Sequence, residues 1–176
     1  MRACTLLSAC LLLLAGCASA PARVADPANL RLADDGRVAV SWNDPVGYRE
    51  VSCRVLDSTR DDWVRQLAVY TRTQAERHLP PDARLDVHFN DIDRAGECLP
   101  GRSGNEYRIV RDIYPPRISL NYRWLMADGA TREAEGVQLT DLGYLMRIPG
   151  RASNQSLEYE KRLIDDWLRG LASGAH

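Results

Sequence analysis

Residues 117–139 constrain the fold more tightly than any other stretch. Ile118, Leu120, Tyr122 and Trp124 fall on every second position, the period of a strand with one face against a core. Asp128-Gly129 follows, a dipeptide suited to the positive backbone angles of a tight hairpin turn. The spacing predicts an antiparallel hairpin with arms at 117–126 and 130–139.

Four more segments have readable periods. Val38, Val40 and Trp42 alternate in 37–43, and Leu85, Val87 and Phe89 alternate in 84–90, so both read as strands with those residues inward. Between them, Ser58-Thr59-Arg60-Asp61 has the form of a capping box, and Val64, Leu67, Ala68, Thr71 and Ala75 recur at helical spacing until Pro80-Pro81. A last helix over 157–171, with Ser156 as its N-cap, carries a stripe of Tyr159, Leu163, Ile164, Trp167, Leu168 and Leu171. Glu158–Arg162 and Asp165–Arg169 are its supporting i,i+4 pairs. Residues 91–105 read as a loop, 107–113 as a short candidate strand before Pro115-Pro116, and 141–155 as irregular. A strand–helix–strand opening favours a parallel crossover. The predicted architecture is a two-layer α+β sandwich: one mixed, mainly antiparallel sheet in the order β-α-β-β-β-α, with two helices on one face.

The N-terminal residues form an address. Arg2 precedes an apolar run from Ala3 to Ala15, the length of a secretory signal core and too short to span a bilayer. Ala18-Ser19-Ala20 has the form of an ordinary signal-peptidase site, but Pro21 would sit just past that cut. Leu14-Ala15-Gly16-Cys17 resembles the bacterial lipobox. That resemblance implies removal of residues 1–16, a diacylglyceryl group on Cys17 and a stable anchor in a lipid bilayer. With Ala18 next, the enterobacterial sorting pattern implies the outer membrane, facing the periplasm. Residues 17–36 then read as a lipidated tether, 37–172 as a single domain and 173–176 as a frayed end. Fully extended, the tether reaches about 60 Å.

Of 5 cysteines, Cys4 and Cys10 leave with the signal and Cys17 carries lipid. The remaining Cys53 and Cys98 read as a disulfide in an oxidising compartment. If the first two strands run parallel, both cysteines sit in loops at the same end of the sheet. The bridge would close a loop of about 46 residues, contributing roughly 4 kcal/mol in the chain-entropy model.

The search for chemistry returns mostly exclusions. A formal charge of −1 shows no basic field for nucleic acid. His78, His88 and His176 fit no zinc spacing; His78 suits a helix C-terminus and His88 an outward, solvated position. There is no CxxC, P-loop or dinucleotide fingerprint, and Gly101-Arg102-Ser103-Gly104 is not a nucleophile elbow. Asp91-Ile92-Asp93 with Gly96 begins like a calcium loop, but Arg102 stands where the closing glutamate belongs. Trp124 and Trp167 fall on core stripes, while Trp63 fits either packing or ligand stacking. Arg111, Tyr114, Arg117, Tyr144 and Arg147 set arginines beside aromatics, a combination enriched at protein interfaces.

Val110-Arg111-Asp112-Ile113 with Pro116-Arg117-Ile118, Tyr144-Leu145-Met146-Arg147, and Tyr159-Glu160-Lys161-Arg162 through Asp165-Asp166-Trp167 together resemble an uncharacterised family of proteobacterial envelope proteins, domain of unknown function 3016. Asp91-Ile92-Asp93 with Ala95-Gly96-Glu97 fits the same pattern. The resemblance spans roughly 38–172 and implies an envelope location, with no known activity or cofactor. The expected function is that of a non-enzymatic lipoprotein module that binds an envelope protein, with Asp91, Asp93, Arg111, Tyr114, Arg117, Tyr144 and Arg147 as candidate contact residues. The alternatives are a hydrolase using Asp91 and Asp93, or a small-ligand carrier.

Overall fold

A computed structural model describes residues 30–33, 36–49, 60–101, 106–146 and 157–174. The elements in chain order are β1 (Val38–Trp42), a single 3-10 turn at Pro45–Gly47, α1 (Arg60–His78), β2 (Arg84–Asp93), β3 (Glu97–Pro100), β4 (Glu106–Ile109), β5 (Arg117–Leu125), β6 (Thr131–Thr140) and α2 (Glu158–Ser173). The main sheet has the order β1-β2-β5-β6. β1 runs parallel to β2, and the β2–β5 and β5–β6 pairs are antiparallel. α1 provides the crossover between the parallel strands. The fold is α+β, with a mixed four-stranded sheet, two helices on one face of it, and a separate two-stranded ribbon of β3 and β4.

One apolar layer joins sheet and helices. β1 contributes Val38, Val40 and Trp42, β2 Leu85, Val87, Phe89 and Ile92, and β5 Ile118, Leu120, Tyr122 and Trp124. Against them lie Val64, Leu67, Ala68 and Ala75 of α1 and Leu163, Ile164, Trp167, Leu168 and Leu171 of α2. The aromatics meet edge to face, Tyr122 on Trp167 with centroids 5.7 Å apart, the arrangement that ring quadrupoles favour. The Arg37 guanidinium donates to the carbonyls of Glu76 and Leu79, satisfying orphan acceptors at the end of α1. Tyr70 of α1 donates to Asp165 of α2 at 2.8 Å; burial and that carboxylate push its pKa up to about 12. Among the described residues, no helix is long and apolar enough to cross a membrane.

The structure corrects several local expectations. The tether ends before residue 36: Leu30 and Leu32 pair with β1 through Trp42 N–H to Leu30 O and Leu32 N–H to Val40 O, both 2.9 Å, and Leu32 is buried. An apolar residue able to reach an open strand edge does not stay in a solvated linker. Residues 91–93 extend β2, and 97–100 form β3, so the stretch read as a loop is largely strand. The candidate strand at 107–113 shortens to β4 and pairs with β3 outside the main sheet. The N-cap of α2 is Leu157 in the left-handed region (φ 66°), with no side-chain cap. Burying Leu157 offsets the strain of that backbone, which costs about 1–3 kcal/mol. Arg169 pairs with Asp166, because Asp165 is held by Tyr70. Ser58, Ser156 and Cys53 lie outside the described residues, as do Cys17 and the signal segment.

Candidate functional site

The helices cover one face of the sheet and leave the other open. Two irregularities shape that open face. In β2 the pairing shifts between Phe89, opposite Leu120, and Asp91, opposite Ser119. This bulge places Asn90 and Asp91 on the same outer side, where strict alternation would turn Asp91 and Asp93 inward. In β6 a second shift falls at Gly136, whose φ of 64° suits glycine. Asn121 on β5 joins the two: its side-chain oxygen accepts from Asn90 Nδ2 at 2.7 Å and from the Gly136 N–H at 2.8 Å.

The first bulge assembles a charged end. Asp91 accepts the Arg49 N–H at 2.9 Å and the Arg49 Nε at 3.4 Å. Asp93 meets Arg117, its cross-strand partner, at 3.5 Å. Both arginines remain open to solvent, with side chains 83% and 52% exposed. Arg49, Asp93, Arg94, Glu97, Tyr114 and Arg117 line a cleft of about 170 Å³. Hydrogen bonding to Glu97 raises the pKa of Tyr114.

Behind the cleft the supports are buried. Arg94 lies 4.6 Å over the ring of Trp63, which packs edge-on against Tyr48. Trp63 is therefore a packing residue with a cation on its ring. Burial, then Asp91 and Asp44, raise the Tyr48 pKa, so its phenol stays neutral. Glu160 of α2 is buried and accepts the Ala95 N–H at 2.7 Å, tying the last helix to the turn beneath the cleft. At Gly96 in this turn (φ 87°) an added Cβ would sit 2.5 Å from the Ile109 carbonyl oxygen, so only glycine fits.

Four of the predicted contact residues, Asp91, Asp93, Tyr114 and Arg117, thus gather at one end. Tyr144 does not join them. It is 1% exposed, its hydroxyl donates to the Arg111 carbonyl at 2.5 Å, and its ring meets Tyr159 edge-on at 4.9 Å. It is a buried strut, unable to touch a partner, and Arg111 serves it through the backbone. Arg147 lies outside the described residues. Cys98 on β3 is disulfide-bonded, to a sulfur outside the described residues. Among the described residues, no group of three or more His, Cys, Asp or Glu side chains is placed to hold a metal ion.

The middle of the open face carries a constellation absent from the sequence expectations. Ser41 and His88 are register partners on β1 and β2, and Ser41 Oγ lies 2.9 Å from His88 Nδ1. His88 Nε2 lies 3.0 Å from Asn43 Oδ1, and Asn43 Nδ2 donates to the Asn90 carbonyl at 3.0 Å. Burial lowers the His88 pKa, so the ring is neutral near pH 7. Outward alternation of Ser41 and His88 is visible in the sequence, but their pairing needs the parallel register.

The fold and its open face define a small α+β module whose charged end is built on a bulged strand. The chain belongs to the family described as protein of unknown function (DUF3016), whose model matches residues 36–170. No curated protein and no solved structure matches it.

Proposed function

We propose that this chain is an envelope lipoprotein, anchored in the bilayer through Cys17 at the outer membrane and facing the periplasm, that binds a partner protein at the charged end of its open sheet face. The observation that carries the reading is the convergence of Arg49–Asp91, Arg117–Asp93 and Tyr114 around one solvent-open cleft. Exposed ion pairs of this kind contribute little to stability, typically about 0–1 kcal/mol. They do set orientation and encounter rate when a partner of complementary charge arrives. The two carboxylates are already held by arginines and a backbone N–H, which weighs against their use as a hydrolytic acid/base pair. The lipobox-like Leu14-Ala15-Gly16-Cys17 supports the anchor. Once Cys4, Cys10 and Cys17 are discounted, Cys53 is the cysteine left to pair with Cys98. Nucleic acid is not the partner, given the net charge of −1.

Photo-crosslinking in intact cells tests the reading. A crosslinking residue at Tyr114 should give one discrete protein adduct, lost in Arg49→Glu/Arg117→Glu, while one at the exposed Val69 of α1 gives none. Equal adducts at both positions, or none at Tyr114, would remove the proposed interface. Mass spectrometry of the mature N-terminus checks the anchor separately: acylated Cys17 supports it, and an unmodified start at Pro21 defeats it.

A further inference from the structure

The hydrogen-bond order around His88 is fixed by its neighbours. Asn43 Nδ2 faces the Asn90 carbonyl, so Asn43 Oδ1 faces the ring and must accept a proton from Nε2. Nε2–H is therefore the neutral tautomer, and the lone pair of Nδ1 points at Ser41. The Ser41 hydroxyl donates to it at 2.9 Å, in preference to the Val87 carbonyl at 3.4 Å. A hydroxyl donating to a neutral imidazole, itself oriented by an amide oxygen, is the arrangement that activates a nucleophile.

Its surroundings suit that use. Arg31 stands directly opposite Ser41 in an antiparallel bridge. The flanking Leu32–Val40 and Trp42–Leu30 hydrogen bonds make this the close type of pair, with Cα atoms about 4.5 Å apart. Arg31 and Ser41 thus share the outer face. Both line a groove of about 680 Å³ with His88, Asn121 and Arg123, open to solvent along the sheet.

We propose that Ser41 is the nucleophile of an ester-cleaving site, with His88 as general base, Asn43 as the positioning residue and Arg31 as the cation that meets the oxyanion. The Ser41 Oγ–carbonyl carbon bond forms as the Oγ proton passes to His88 Nδ1. The carbon–oxygen bond to the leaving alcohol breaks, and Nδ1 returns the proton to that alcohol. Water, activated by the same nitrogen, then hydrolyses the acyl-serine and restores the hydroxyl. An amide oxygen stabilises the transient imidazolium less than a carboxylate would. The substrate class is therefore carboxylic esters with a good leaving group, and amides are excluded. The proposal is independent of the partner reading, which rests on the charged end.

The test uses the full chain with p-nitrophenyl acetate and an aryl fluorophosphonate. The expected result is a burst of p-nitrophenolate and a single adduct on the peptide holding Ser41, absent in Ser41→Ala. His88→Gln should slow adduct formation by about 10²–10⁴-fold, the usual span for a general base. The rate should rise with pH and level off with a midpoint below 6.5, because burial keeps the base neutral. Asn43→Asp should move that midpoint upward, since a carboxylate 3.0 Å from Nε2 favours imidazolium, whereas a reaction whose base is not His88 would leave it unmoved. If His88→Gln fails to fold, Asn43→Asp and Asn43→Ala carry the test. No adduct, an adduct only on other residues, or a rate unchanged in His88→Gln with the pH midpoint unmoved in Asn43→Asp would overturn the proposal.

Discussion

The inner face of the main sheet carries Leu85, Val87, Phe89, Ile118 and Leu120, all nearly sealed from solvent, whereas the outer face of the same strands carries Asp86, His88, Asn121 and Arg123. The two faces obey different physics. Apolar burial is non-directional and scales with area removed from water, so alternation alone is enough to place those residues. Polar contacts depend on distance and angle, so the outer face depends on which residue of one strand lies opposite which residue of the next. A slip of one residue would exchange the two faces, so both depend on register, but only the inner one can be placed from alternation alone.

Substitutions on each side sharpen the contrast. The largest effect belongs to the apolar side: Trp167→Ala removes a ring that is 2% exposed and packs on Tyr122, and should cost about 3–5 kcal/mol by urea unfolding. An unchanged midpoint would mean that α2 does not seal the inner face. Next is the buried polar exception, Glu160. Glu160→Ala leaves the Ala95 N–H without its acceptor and should cost about 1–3 kcal/mol, while Glu160→Gln keeps an oxygen there and should cost less.

Smaller still is a pH effect on the open face. Burial holds the folded-state pKa of His88 below its ordinary value of about 6.5, so the unfolded chain binds that proton more tightly. The stability tied to neutral His88 is complete above that value and declines as the pH falls below it. Thermal midpoints of wild type and His88→Gln should converge on acidification through that window, and parallel curves would show that the ring's protonation is not linked to folding. The smallest effect is at Arg123, whose contact with Glu133 is 3.9 Å long and solvent-exposed. Arg123→Ala should change stability by no more than about 0.5 kcal/mol. A loss above 1 kcal/mol would mean that the outer face contributes to the fold as the inner one does.

The same division explains what could be read beforehand. The hairpin expected at 117–126 and 130–139 is β5 and β6 to within one residue, because Asp128-Gly129 and the apolar alternation agree. Val64, Leu67, Ala68, Thr71 and Ala75 are all wholly buried, as their spacing requires. The β3–β4 ribbon escaped notice because Glu97–Pro100 has neither alternation nor length, and its pairing comes from a neighbour. Asp91 and Asp93 were legible as an acidic pair, but their outward aim depends on a bulge with no sequence mark of its own. Ser41 and His88 stand 47 positions apart, and only the parallel register brings them together. Tyr144 looked like a surface aromatic because its partner is a backbone carbonyl, which no side-chain pattern reveals.

The bulge at Asn90 makes the phase of a strand, and not only the identity of its residues, part of this protein's working surface. Loops absorb gained or lost residues cheaply, so length variation across relatives of a domain normally collects there. In β2 the extra residue is taken up inside a strand, and flattening the bulge with Asn90 kept would swing Asp91 and Asp93 toward the core while drawing Ile92 out of it. Every residue type would survive such an event and the charged end would still be gone. Within the family, a relative one residue shorter at this point is therefore expected to keep both carboxylates outward on an unbulged strand and to lose only the asparagine link to Asn121.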